Sequence, residues 1–349
     1  MGSRIEVQSL RLLRLLPLFL AIAVLASCSL PLSPTSPQQT ALLTQQRTAL
    51  ASLTARQERV YRVAAPLLVN NAVLCKSNAR PLLGFTAKNQ YSYSAEMVDA
   101  AKELLGLDER LQVMSVLAGS GAARAGIRRG DILQTVQEQN LPQGPNAESE
   151  AARQLAAVVR NATELQITVQ RDDKPLRLQV PLTLACAYSI DIGHADLVNA
   201  YDDGRRILVT RGMLDYLQSD AELAVLLAQE IAHNTLRHAQ ALQMKGTVAA
   251  VIDKLLPLKP DLTGLAGSAG IKIMPAAMEM EADRLALYML ARAGYSPAIA
   301  ATTWQHLAQN TAPNSYTALH PWTDERLALL QATTEEIRQK QLSKKPLVP

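Results

Sequence analysis

The chain has 349 residues, of which 48% are hydrophobic and 4% aromatic, and its formal charge is +4. Residues 1–27 hold three arginines and one glutamate, and without them the charge is +2. Such a near-neutral chain has no electrostatic case for binding nucleic acid, and the remaining length of about 320 residues is enough for two domains with a sizeable core.

Arg4, Arg11 and Arg14 form a basic start, and an apolar run from Leu15 to Ala26 follows, interrupted by Pro17. This run is shorter than the roughly 20 residues a membrane span needs, so residues 1–27 read as a signal peptide. Leu25-Ala26-Ser27-Cys28 resembles a bacterial lipobox. In that reading Cys28 is lipidated, becomes the mature N-terminus and anchors the chain to the membrane. The alternative is an ordinary leader or anchor with a chance cysteine. Ser29 after the cysteine implies, by resemblance to known sorting rules, the outer membrane of a bacterial envelope, facing the periplasm. Residues 28–40 are rich in Pro, Ser and Thr and read as an extended tether. Over 41–75, Leu42, Leu50, Leu53, Val60, Val63 and Leu67 recur at helical spacing. This predicts one or two helices packing on the C-terminal domain.

Residues 80–183 change character. Alternating apolar positions in 111–116, 132–136, 165–169 and 176–180 predict half-buried strands. Between the first two lies Gly119-Ser120-Gly121-Ala122-Ala123-Arg124-Ala125-Gly126-Ile127-Arg128-Arg129-Gly130-Asp131, which resembles the bacterial PDZ signature. Leu82-Leu83-Gly84-Phe85 stands where PDZ domains carry their carboxylate-binding loop. The resemblance implies a β-rich inserted domain whose groove takes C-terminal peptides as an added strand. The alternative is a small β-rich domain without a ligand. Cys75 and Cys186 bracket this module. In an oxidising compartment they are expected to form a disulfide at its neck, the alternative being two buried free thiols.

The segment 187–343 reads as mostly helical. Ser219-Asp220-Ala221-Glu222 is a capping box that starts one helix. Pro275 opens another, and Gly294 and Pro297 close it. The intervening 241–272 shows no clear period and is expected to be irregular.

Three blocks here carry chemistry: Gln229-Glu230-Ile231-Ala232-His233, Glu279-Met280-Glu281-Ala282-Asp283 and His320-Pro321-Trp322-Thr323-Asp324-Glu325-Arg326. Two histidines in H-E-x-x-H stand one helical turn apart and hold Zn²⁺, with the glutamate beside them as base. Here the first position is Gln229. Glu279 and Asp283 fall at i and i+4, on one helix face. Asn199-Ala200 precedes a predicted strand at 206–211. With these four blocks in order, 187–330 resembles the zinc metallopeptidase family that includes the CAAX prenyl endopeptidases, HtpX and BepA. The resemblance implies an α+β, helix-rich gluzincin-type domain with a small edge sheet. It makes His233 and Glu279 ligands of one zinc, with Gln229 at a degenerate ligand position. Glu230 becomes the general base and Asp283 a carboxylate behind the ligands. His320 lies near the metal, as transition-state stabiliser or as a ligand in a closed state. Asn199, Ala200, Val209 and Arg326 align with substrate-binding positions, the substrate lying as a strand against 206–211. Read singly, Glu279 could belong to a solvated helix face and His320 to a loop cap. His238 and His306 read as ordinary helix residues, His238 at the surface, and His194 as a strand or turn residue.

An amide oxygen is a poorer zinc donor than imidazole, so zinc is expected to bind weakly. The favoured function is metal-dependent endoproteolysis of envelope proteins. The alternatives are an inactive pseudo-peptidase acting as chaperone or scaffold, and a tethered adaptor that works through its insert alone.

Overall fold

The computed structural model describes residues 37–349 apart from 258, 261, 264 and 266–268. The expected signal peptide, Cys28 and the start of the tether lie outside the described residues. Helix α1 (Pro37–Asn70) is one continuous element and begins inside the stretch expected to be tether. Proline suits a first helical turn, where its missing N–H has no partner to lose. The second half of α1 buries Val60, Val63, Leu67 and Leu68 in the main core, while Leu50 joins a separate cluster with Met97, Ala101 and Met114. One helix therefore braces both halves of the molecule.

The neck of the insert is a two-stranded ribbon. Strand β1 (Ala79–Leu82) pairs antiparallel with β8 (Thr183–Cys186), and Cys75 is bonded to Cys186. Between these strands run β2 (Phe85–Lys88), α2 (Val98–Leu105), β3 (Gln112–Val116), α3 (Gly121–Ala125), β4 (Ile132–Val136), β5 (Gln139–Asn140), α4 (Ala147–Val159), β6 (Glu164–Arg171) and β7 (Lys174–Pro181). The sheet order is β2-β3-β4-β6-β7, with β5 on β4. Alternate residues Leu165, Ile167 and Val169 turn to one face and share a core with Val113, Leu133 and Val180. Strand β2 ends the sheet, and an apolar groove separates it from α4.

The C-terminal half begins with β9 (Ser189–Gly193), β10 (Ala200–Asp202) and β11 (Arg206–Thr210), in the order β10-β11-β9. This corrects one expectation: β11 is the central strand, both of its edges are paired, and Val209 is fully buried. No peptide can add to it. The edge strands are β10 and β9, and Arg211 already opens α5 (Arg211–Tyr216).

Helix α6 (Asp220–Leu236) starts at a capping box in which Ser219 accepts from the Glu222 amide and Glu222 from that of Ser219. Every residue from Leu223 to Asn234 is buried, so α6 is the central helix. It is followed by α7 (His238–Ala241), α8 (Lys245–Leu255), α9 (Ala276–Arg292), α10 (Ile299–Leu307), α11 (Tyr316–Leu319) and α12 (Asp324–Leu342). Helix α8 corrects the irregular reading of 241–272 over 245–255, while the described residues of 256–272 form no helix or strand. Val248, Val251, Ile252 and Leu255 do fall at helical spacing, and they pack with Tyr201, Leu208 and Ile271. No described helix is long and apolar enough to cross a membrane.

Candidate metal centre

Helix α6 carries Gln229, Glu230 and His233 in its buried middle, with no solvent exposure at any of the three. Helix α9 crosses it and brings Glu279, in its first turn, and Asp283 one turn later. A carboxylate suits the first turn of a helix, where unpaired N–H groups point at it. His320 comes last, just after α11, whose final turn it closes with a hydrogen bond from its amide to the Tyr316 carbonyl. Ligand atoms of His233, Glu279 and His320 all lie within 4.8 Å of one another, and all three residues are buried.

The polar network fixes the protonation of these groups. Burial pushes His233 well below the usual histidine range, so it is neutral. Its Nδ1 lies 2.8 Å from Nδ1 of His238, and its Nε2 lies 3.3 Å from the amide nitrogen of Gln229. An amide N–H can only donate. His233 Nε2 is therefore the bare acceptor and Nδ1 carries the proton, the tautomer that offers Nε2 to a metal. His238 accepts at Nδ1 and turns Nε2 toward Glu281, 3.4 Å away. Burial pushes Glu279 up, but His320 and Arg326 outweigh it and hold the carboxyl at about 2. Its Oε1 accepts from His320 Nδ1 at 2.7 Å. Its Oε2 is shared by Gln229 Nε2 at 3.2 Å and Arg326 Nη1 at 2.9 Å. Despite burial, the charge of Glu279 raises His320.

Glu230 is raised by burial, against the pull of His320 and Tyr316. The Tyr316 hydroxyl donates to Glu230 Oε1 at 2.6 Å, while Oε2 has no hydrogen-bond partner. Tyr316 itself is stacked between Trp304 and His320, with ring centroids 5.7 and 4.2 Å away and both planes within 8°.

Several assignments shift. Asp283 is held chiefly by Arg326, at 2.7 and 2.8 Å. Burial still pushes it up to about 6, against Arg326 and, more weakly, Gln229. Gln229 does not turn its carbonyl to the ligand atoms: the amide nitrogen faces them, and buried Oε1 has no partner. Arg326 is not placed to meet substrate. It is 1% exposed and committed to Asp283 and Glu279 beside the Trp304 and Trp322 rings. Asn199 ties β10 to the loop before α11, donating to the Asn314 carbonyl at 2.8 Å and accepting from the Ala200 amide. Ala200 lies on the edge strand β10 and, with Asp202 and His320, lines a cavity of ≈ 20 Å³ closed over by Met244, Val248 and Met274. His306 pairs with Glu222 instead, and His194 lies in a cleft against α1.

His238 was missed because Arg237, at φ +62°, breaks the helical path. A residue five places after His233 belongs on another helix face, yet the left-handed turn folds it back beneath the ligand. Tyr316 had no sequence signal beyond its nearness to His320.

The model of peptidase family M48 matches residues 161–334. The chain carries a peptidase family M48 domain. Members of this family are zinc enzymes, and two imidazoles with one carboxylate are a donor set that suits zinc. The mitochondrial metalloendopeptidase OMA1 of Arabidopsis thaliana is 29% identical over 150 residues, 41% of this chain and 31% of that protein. The beta-barrel assembly-enhancing protease of Yersinia pestis is 28% identical over 153 residues, 38% of this chain and 32% of that protein. The chain thus spans about a third of the length of these curated relatives. Among solved structures, the HtrA-type protease AlgW with a decapeptide is 26% identical over 30% of each chain, with a TM-score of 0.23. The HtrA3 PDZ domain with a phage-derived ligand is 19% identical, over 30% of this chain and 88% of that one, with a TM-score of 0.24.

Proposed function

We propose that this chain is a zinc-dependent endopeptidase acting on proteins of a bacterial envelope, held at the membrane through lipidated Cys28. The observation that carries the reading is the buried convergence of His233, Glu279 and His320 beside Glu230. His320 supplies the third donor in place of the histidine absent at position 229. Zinc held there would contribute Lewis acidity toward the scissile carbonyl and the attacking water. Glu230 takes the proton of that water at Oε2, because Tyr316 occupies Oε1. A carboxyl raised by burial is suited to accept a proton and pass it to the leaving amine. Substrate lies along the free edge of β10, where Ala200 and Asp202 turn their main-chain groups away from β11. A cavity of ≈ 20 Å³ has room for a water but not for a peptide, so α8 and Met274 move before substrate enters. The insert reads as a PDZ-like domain that selects C-terminal peptides, and the Cys75–Cys186 bond fastens its neck.

A second reading is a pseudo-peptidase that holds clients without cutting them. It is favoured by the Gln229 amide nitrogen, which sits against His233 Nε2 and Glu279 Oε2. The deciding experiment is elemental analysis of the purified, untagged chain after incubation with micromolar zinc, alongside casein hydrolysis by the chain and its Glu230→Gln variant. Zinc near one per chain with hydrolysis lost in the variant supports the enzyme. Absence of zinc leaves the holding function.

A further inference from the structure

The groove between β2 and α4 has a volume of ≈ 330 Å³. Its β2 side presents Leu83, Phe85 and Ala87, and its α4 side Ala152, Leu155 and Val159. Small alanines on α4 keep the space open. One end of the groove is the turn before β2. There Gly84 has φ +82°, and a Cβ would lie 2.6 Å from Ser120. The amides of Leu83 and Gly84 donate to no acceptor among the described residues. Two free amides beside an apolar pocket fit a terminal carboxylate whose last side chain is apolar.

The other end is different in kind. Glu148 is the one charged residue lining the groove. Its side chain is exposed, and Ser92 Oγ donates to Oε2 at 2.7 Å. It makes no ion pair among the described residues. Its charge is felt nearby: burial, together with Glu148, pushes the Tyr93 phenol up to about 12. Glu148 stands seven residues before Leu155 on α4, about 10 Å along the axis. An extended peptide rises about 3.3 Å per residue and turns alternate side chains to the same face. The residue two before the last therefore faces α4, and a long basic side chain there reaches Glu148. The chain's own C-terminal residues are engaged elsewhere, the Leu347 carbonyl by Arg292 and that of Val348 by Lys340.

We infer that Glu148 makes this groove selective for C-terminal segments of other proteins that end in an apolar residue and carry Lys or Arg two residues before it. The inference rests on the peptide-binding reading of the insert. Fluorescein-labelled hexapeptides ending in Lys-Ala-Val, Ala-Ala-Val and Glu-Ala-Val test it by anisotropy with the full chain, under a metal chelator so that nothing is cut. An amidated Lys-Ala-Val peptide is the control for the carboxylate. An exposed charge pair predicts that the Lys peptide binds about three- to fivefold more tightly than the Ala peptide, and that the gap closes in high salt. Glu148→Gln should remove the gap, and Glu148→Lys should turn the preference to the Glu peptide. Equal binding of all three free-carboxylate peptides overturns the role of Glu148 and leaves the groove reading standing. No binding by any of them, or equal binding of the amidated peptide, overturns both.

Discussion

The two concave sites of this molecule are opposites. The centre between α6, α9 and His320 is crowded with chemistry: His233, Glu279, His320 and Arg326 are all buried and paired, around a cavity of ≈ 20 Å³. The groove of the insert offers ≈ 330 Å³, an unpaired strand edge and one charge. A buried polar network is costly unless nearly every member is satisfied, so it closes on itself and must be opened to work. An apolar groove has little to satisfy and can stand ready. Under the function proposed above, the groove would capture and the closed centre would act only once α8 is displaced.

The comparison breaks most completely if the centre is not a metal site. Glu279→Ala removes its anionic donor, and zinc uptake by dialysis and elemental analysis should fall from about one per chain to none. Uptake unchanged in this variant would mean that the donors named here are the wrong ones. Next in size, Glu230→Gln should keep the metal and lose about 10²–10⁴-fold in casein hydrolysis, since only the proton acceptor is removed. His238→Ala leaves the donors in place and frees the His233 ring. Zinc affinity, measured by competition with a chromogenic chelator, should drop about 10–100-fold. Opening the cover has the reverse sign: Ile271→Ala strips contacts that pack it on Tyr201 and Leu208, and hydrolysis should rise by about a few-fold. The smallest effect lies outside both sites. Arg284, Tyr288 and Lys340 hold the half-buried Glu336 at about 2. A depressed carboxyl stabilises the fold above its unfolded value of about 4.3 and loses that stabilisation as pH falls toward 2. Glu336→Gln should therefore lower the melting temperature slightly at pH 7, by no more than about 2 °C, and not at pH 2.

The helix faces that carry the groups of the centre could be read from spacing, because spacing along a helix fixes which face a side chain takes. That Glu230 and His233, and Glu279 and Asp283, share faces needed only the 3.6-residue turn and the signals at Ser219 and Pro275, while their place in one centre came from the resemblance to the zinc metallopeptidases. Four strands of the insert, β3, β4, β6 and β7, were legible for the same reason, through their period of two, and β2 and β5 were not. Misreadings clustered where a side chain's surroundings come from elsewhere in the chain. Arg326 was expected to meet substrate, and its partners on α9 are more than forty residues away in sequence. Val209 carries a strand pattern whether its strand is central or at an edge, and only the pairing of β9 and β10 around it excludes an incoming peptide.

The sequence by itself determined the periodicities, the caps, the zinc-peptidase blocks and the loss of a histidine at 229, since each is local in the chain. Tertiary structure alone decided how close His320 comes to the other two candidate donors. His320 lies eighty-seven residues beyond His233, and no helical period joins them. The packing of α9 on α6 and the stacking of His320 on Tyr316 bring its ring to 5.2 Å from that of His233. Metal coordination depends on atoms meeting in space, and that is set by how elements pack rather than by how residues are spaced.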